Sequence, residues 1–519
     1  MRTTRFGQGL LGRLAAVLLG LAVVQPAAAA WQKAQTEHFT MHAESGEGEL
    51  RRRAVQLEKF HQAGLLMLGI TDGKARTARR FDVVMLADAK MLNVVSPDLG
   101  PGYAGMYRQC ADGAIAFSAE KSDTNRSPGR YDEADFAQVV LFHEVAHRLM
   151  FEYSSRSYPR WFVEGFAEYM SRTRLEDDRV TFGLAPPRAA AVLAGERILG
   201  DELSWEDLLK ASARNYSTEG DFYFKSWLLT HYMFSDSTRT QQLHQYMERL
   251  ANGEEAVAAF ESATGLTMEQ LRSTLRRYLR TAGAVSMSGK QMRQVDVSVT
   301  HLGEAQGEVL MKSAILRTCP SKSHGEALLA ELRKLRQQRS SPAAELRLAL
   351  ARAELLFGDA AAAQVELKTV MAEDDGNFEA QHLTGRMLTI LASRASGEER
   401  EALQNQARTH YFAAYRLNKL DAPNLYRLAL ALALRGQDAS LLNAARGARA
   451  MEPTVSEYAF FEAQVDLQAG DRVRAVQALR PLASNPHDAK FAARMRATIA
   501  AIEADTSVQD INKMLTQGD

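Results

Sequence analysis

The chain has 519 residues, 46% hydrophobic and 24% charged, which is too long for one compact core and too apolar for disorder; about two to four domains are expected. Lys+Arg and Asp+Glu balance at 63 each, which excludes the basic footprint of a dedicated nucleic-acid binder. Two cysteines, Cys110 and Cys319, are too few for a disulfide framework or a cysteine zinc site, so any metal falls to histidines and carboxylates.

Arg2, Arg5 and Arg13 precede an apolar run at residues 14–24, and Ala28 and Ala30 offer small residues for cleavage before Trp31. That is the layout of a secretory signal peptide, and the run is shorter than the ~20 residues a membrane helix needs. Residues 1–30 are expected to be removed, leaving a periplasmic or secreted chain with no membrane span.

From residue 31 to 283 strand and helix signals alternate. Residues 39–43 and the strongly apolar 81–86 read as strands, and 49–68 as a helix with Leu50, Ala54, Leu57 and Phe60 on its apolar face. Residues 103–107 and 114–117 read as two further strands around a polar turn with Asp112-Gly113. After Asp132 the pattern turns helical and stays so, the order expected of an α+β domain. Residues 284–307, with a β-flavoured piece at 295–299, read as a connector.

From 308 to 519 the sequence is helical, rich in Ala and Leu, and self-similar. Gly436 and Gly470, each ending an apolar helix, are 34 residues apart, and Pro453 and Pro486 repeat at nearly the same interval. A period of 34 in helix pairs is that of a tetratricopeptide (TPR) array. Gly358-Asp359 marks an earlier copy, and the spacing to Gly436 predicts lengthened helices or a longer turn in the copy between them.

The sharpest motif is His143-Glu144-Val145-Ala146-His147, an HExxH set in a stretch that leaves almost no solvated face. Residues i and i+4 share a helix face, so His143 and His147 can present imidazole nitrogens to one zinc ion. Glu144 lies off that line, where it can reach a water. A catalytic zinc takes three protein ligands, and Glu164 and Glu168, again i and i+4, interrupt the aromatic run at 161–169 just after Pro159. Glu164 is assigned as the third ligand; Glu168 would accept the second N–H of a ligand histidine.

HExxH completed by Glu164-Gly165-Phe166-Ala167-Glu168 resembles the gluzincin zinc metallopeptidases, in which an EGxAE-type segment on the next helix supplies the third ligand. The stretch 31–283, with its LEKF at Leu57, the WFVEGFAEYM around Glu164 and the FYFKSWLLTHYM around Tyr223, is similar to bacterial peptidase-MA-like proteins. The resemblance implies a zincin-like domain of a small mixed sheet plus helices, holding Zn2+ and hydrolysing peptide bonds with a zinc-activated water and Glu144 as general base. It also points to Tyr223 as an oxyanion donor, with Tyr216 and His231 as substitutes; Tyr223, Trp227 and Leu228 are equally spaced as one core face of a helix. Gly105-Met106 continues with Tyr107 and Arg108 where the aminopeptidase branch has Glu and Asn, so capture of a free amino terminus is not expected. The family analogy also gives residues 103–117 an edge strand for an extended peptide.

His38, His42, His61 and His244 show no ligand spacing with one another. Cys110 and Cys319 either staple the peptidase part to the connector or remain thiols. The expected whole is an exported zinc peptidase with a TPR-like solenoid binding a peptide substrate or protein partner. The competing reading is a zinc-containing binding module that does no chemistry and acts through its repeats.

Overall fold

The computed structural model describes residues 31–70, 79–99, 103–120, 136–154, 156–187, 189, 203–210, 219–485 and 487–516. The leader 1–30, Tyr216 and Pro486 lie outside the described residues.

The N-terminal half is built on a mixed sheet. Strands β1 (Gln32–Gln35) and β2 (Phe39–Ala43) are antiparallel; helix α1 (Glu47–Met67) then crosses to β3 (Phe81–Leu86), which runs parallel to β2. A short helix α2 (Leu92–Val95) precedes the hairpin β4 (Gly105–Cys110) and β5 (Gly113–Ala119), with β5 parallel to β3 and β4 on the edge. Helices α3 (Phe136–Glu152) and α4 (Arg160–Ser171) follow, and α4 starts directly after Pro159, whose extended backbone supplies the N-cap.

The apolar run of β3 is explained by burial on both faces. Val83 and Met85 join a core with Phe60 of α1 and Phe142 and Val145 of α3. Their neighbours Val84 and Leu86, with Ile115 and Phe117 of β5, enter a second core with Val309, Ile315, Leu328 and Leu346 from the helical half. The central strands are thus shared between the two halves.

Helical structure does not continue unbroken after α4, contrary to the expectation from the sequence pattern after Asp132. A small hairpin, β6 (Arg174–Leu175) and β7 (Arg179–Phe182), is extended by β8 (Val285–Ser288). β9 (Ser298–His301) pairs with β1 and completes the main sheet, whose order is β4-β5-β3-β2-β1-β9. β8 and β9 fall within residues 284–307, so this stretch is tied into both sheets of the N-terminal half. β9 overlaps the β-flavoured piece at 295–299, whereas β6, β7 and β8 escape periodicity because two to four residues are too few to show alternation.

From Glu304 to Thr516 the described residues form twelve helices; the first packs on the third, and from the second onward each helix packs on the next. Gly436 and Gly470 end their helices with φ of 105° and 81°, a left-handed conformation that glycine adopts without strain. The pair Phe378–Arg394 and Gly397–Leu417 is longer than the following pair Ala422–Ala433 and Ala439–Met451, which accounts for the irregular spacing before Gly436. Small residues such as Ala363, Ala429, Ala445 and Ala448 let neighbouring helices approach closely. Cys110 and Cys319 form a disulfide between the end of β4 and the first helices of this array. Among the described residues no helix is long and apolar enough to cross a membrane.

Candidate metal centre

Helix α3 carries His143 and His147 one turn apart on one face, and α4 packs against it to bring up Glu164. The Nε2 atoms of the two histidines lie 3.1 Å apart. Glu164 Oε2 stands 3.2 Å from His143 Nε2 and 3.5 Å from His147 Nε2. Ligand atoms about 2.0–2.1 Å from a tetrahedral zinc are separated by about 3.3 Å, so this triangle has the size of one face of such a site.

The chemistry of Glu164 fits a cation as well. Its side chain is fully buried, and among the described residues neither carboxylate oxygen accepts a hydrogen bond of normal geometry. A buried carboxylate that faces only imidazole nitrogens is costly unless a positive charge lies among the three atoms, and either a metal ion or a proton on the imidazoles supplies one. Burial opposes charge on Glu164, but the two imidazoles outweigh it and hold its pKa well below the usual carboxylate value. Burial likewise opposes protonation of His143, yet contacts to Glu164 and Glu168 hold its pKa well above the ordinary imidazole value.

Glu168, one turn along α4, places Oε1 3.2 Å from His143 Nδ1, on the opposite side of the ring from Glu164. A proton held there on Nδ1 leaves the Nε2 lone pair for a metal. The Nδ1 atom of His147 is buried without a hydrogen-bond partner among the described residues. Glu144 is half-buried and makes no hydrogen bond or ion pair among the described residues.

Gly165 explains how α4 seats. A Cβ there would run into Thr230 Oγ1 and the Ser226 backbone of helix Glu219–Met233, so only glycine lets the two helices meet behind Glu164. The same helix carries Tyr223, half-buried, with its ring 6.3 Å from that of His143, while Trp227 and Leu228 are buried. His231 is drawn elsewhere: its Nδ1 lies 2.7 Å from the Tyr278 hydroxyl and its ring packs on Tyr169 and Trp227. Its substitution for Tyr223 in the chemistry is therefore not supported by its placement.

A second histidine cluster escaped the sequence reading. His38, Glu58 and His61 come together in the core, where Glu58 accepts from Thr36 Oγ1 at 2.6 Å and from His38 N at 3.0 Å, and pairs with His38 Nδ1 at 2.6 Å. Both oxygens of Glu58 are thus satisfied, and the rings of His38 and His61 stack at 4.0 Å. This carboxylate needs no cation, in contrast to Glu164.

The sequence reading also missed the array's part in the site. His487, in the turn after helix Arg472–Ala483, places Nδ1 3.5 Å from Glu164 Oε1, and its ring stands perpendicular to that of His147 at 5.6 Å. Arg148, next to the ligand candidate His147, is paired with Glu452 of the array. The spacing of local motifs carries no signal for either contact, because each joins segments some 300 residues apart.

Residues 137–254 match a family model, DUF1570, described as a protein of unknown function. The matched stretch includes His143, Glu144, His147, Glu164, Glu168 and Tyr223, and excludes the main sheet and the array. No curated protein matches the chain. Among solved structures, a thermophilic TPR protein of Thermus thermophilus is similar over 38% of this chain and 99% of that chain, at 21% identity and a TM-score of 0.31.

Proposed function

We propose that the chain is an exported zinc metallopeptidase of gluzincin type, with a zincin-like N-terminal unit and a TPR-like array that engages substrate or a protein partner. The observation that carries this reading is the convergence of His143 Nε2, His147 Nε2 and Glu164 Oε2 within 3.1–3.5 Å of one another, with the Glu164 side chain fully buried. Zinc held by these atoms would supply Lewis acidity, lowering the pKa of a water toward 7 and polarising the scissile carbonyl. Glu144 takes the proton of the attacking water and passes it to the leaving amine. Glu168 keeps His143 in the tautomer that faces the metal. Tyr223, beside His143, donates to the oxyanion as the carbonyl becomes tetrahedral. The basic, apolar leader and the Cys110–Cys319 disulfide both support an oxidising, extracytoplasmic location.

Incubation of the zinc-loaded chain with a broad peptide library, alongside Glu144→Gln, tests the reading. Cleavage by the wild type and its loss in a Glu144→Gln chain that still holds zinc is the expected result. A zinc-loaded wild type that cleaves no folded or unfolded polypeptide would favour the binding module instead.

A further inference from the structure

The two oxygens of Glu164 are not equivalent. Oε2 faces the imidazoles of His143 and His147, whereas Oε1 faces Nδ1 of His487 at 3.5 Å. Glu164 is fully buried, and among the described residues Oε1 has no other donor within hydrogen-bond reach. A carboxylate that binds metal through one oxygen keeps lone pairs on the other, and metal-ligating carboxylates are normally themselves hydrogen-bonded.

The backbone of the turn that carries His487 is anchored to the N-terminal half, while the imidazole itself is 47% exposed. Asn485 Oδ1 accepts from the backbone N–H groups of His487 at 2.9 Å and Asp488 at 3.2 Å, fixing the turn internally. Ser484 Oγ accepts from Tyr158 N at 2.7 Å, and Ser157 Oγ donates to Arg480 O at 3.4 Å. Ser157 and Tyr158 lead directly into α4, on which Glu164 sits, so the array's turn and the ligand helix share one anchor.

We propose that His487 is a positioning residue for the metal centre, supplied by the helical array. Its Nδ1, 3.5 Å from Glu164 Oε1, would donate to that oxygen and leave Oε2 as the oxygen available to the ion. The inference rests on the metal reading above and adds that retention of the metal by the N-terminal unit depends on the C-terminal array.

Zinc affinity of the full chain, measured by competition with a chromophoric chelator, tests this in the wild type, His487→Ala and His487→Asn. Groups that hydrogen-bond a metal ligand are worth about 10–100-fold in metal affinity, so His487→Ala is expected to weaken binding by that factor. Asn offers an amide N–H close to the position of Nδ1 and should restore most of the loss. The Co2+ absorption spectrum at saturation should be the same in wild type and His487→Ala, because the ligand set is unchanged. Unchanged zinc affinity in His487→Ala, or a loss that Asn does not recover, would overturn the proposal; a changed Co2+ spectrum would overturn it in favour of direct ligation by His487. A wild type that binds no zinc would instead remove the metal centre itself.

Discussion

Arg148 Nη1 lies 3.1 Å from a carboxylate oxygen of Glu452, an ion pair that links the residue after His147 to the helical array. Arg79 Nη1 reaches the same carboxylate at 3.0 Å and its other terminus reaches Asp82 of β3, while Arg148 also pairs with Glu152, so one acid of the array bridges two guanidiniums of the N-terminal half. Glu452 is 3% exposed, and removing its charge would leave this buried network one negative charge short, with Asp82 and Glu152 as the remaining partners of Arg79 and Arg148. Glu452→Gln is expected to destabilise the chain by on the order of 3 kcal/mol, seen as a lower denaturation midpoint. Docking of the array would weaken with it, so zinc affinity should fall in the same variant. A midpoint equal to that of wild type would show the network contributes little.

Gly165→Ala should be harmful although alanine is the better helix former. The added methyl has no room against Thr230 and the Ser226 backbone, so α4 must move away from helix Glu219–Met233. A cost of about 2 kcal/mol or more is expected, as for overpacking of a tight core, together with weaker zinc binding as Glu164 shifts. Thermal unfolding and a zinc titration of the same variant check both effects; a stabilised protein would contradict the packing argument.

Acid sensitivity should begin near neutrality. Burial lowers the pKa of His61 from 6.5 to about 3, and burial lowers that of His42 to about 4. The unfolded chain takes up these protons below about pH 6.5 while the folded chain does not. The stabilisation is therefore complete above about pH 6.5 and is lost as pH falls towards these lower values, by about 1.4 kcal/mol per pH unit for each group. His61→Phe should flatten the dependence of unfolding free energy on pH between about 6 and 4 by about one proton. An unchanged slope would show that His61 is protonated in the fold.

The disulfide joins residues separated by 209 positions in sequence. Closing so long a loop removes about 5 kcal/mol of unfolded-chain freedom in the chain-entropy model, an upper value for its effect. Reduction, or the Cys110→Ser, Cys319→Ser double variant, should lower the melting temperature markedly without altering zinc stoichiometry. Equal melting of oxidised and reduced protein would contradict this.

How much of the site could be read from the sequence follows from distance along the chain. His143 and His147 announce themselves because four residues make about one helical turn, and Glu164 and Glu168 because carboxylates rarely interrupt an aromatic run without cause. The core strand 81–86 was legible from its unbroken apolar run, although its two-sided burial between α3 and the array was not. His487 and Glu452 were invisible because both act through tertiary contacts between segments far apart in sequence. His38, Glu58 and His61 were hidden for the same reason, and only the satisfied hydrogen bonds of Glu58 separate that cluster from a ligand set.

The most direct measurement is zinc stoichiometry after equilibration with excess Zn2+ and removal of unbound metal, in the wild type and in Glu164→Gln. About one zinc per wild-type chain and little or none in Glu164→Gln is the predicted result. A wild type that retains no zinc, or a Glu164→Gln chain that retains it fully, would contradict the assignment of His143, His147 and Glu164 as a metal centre.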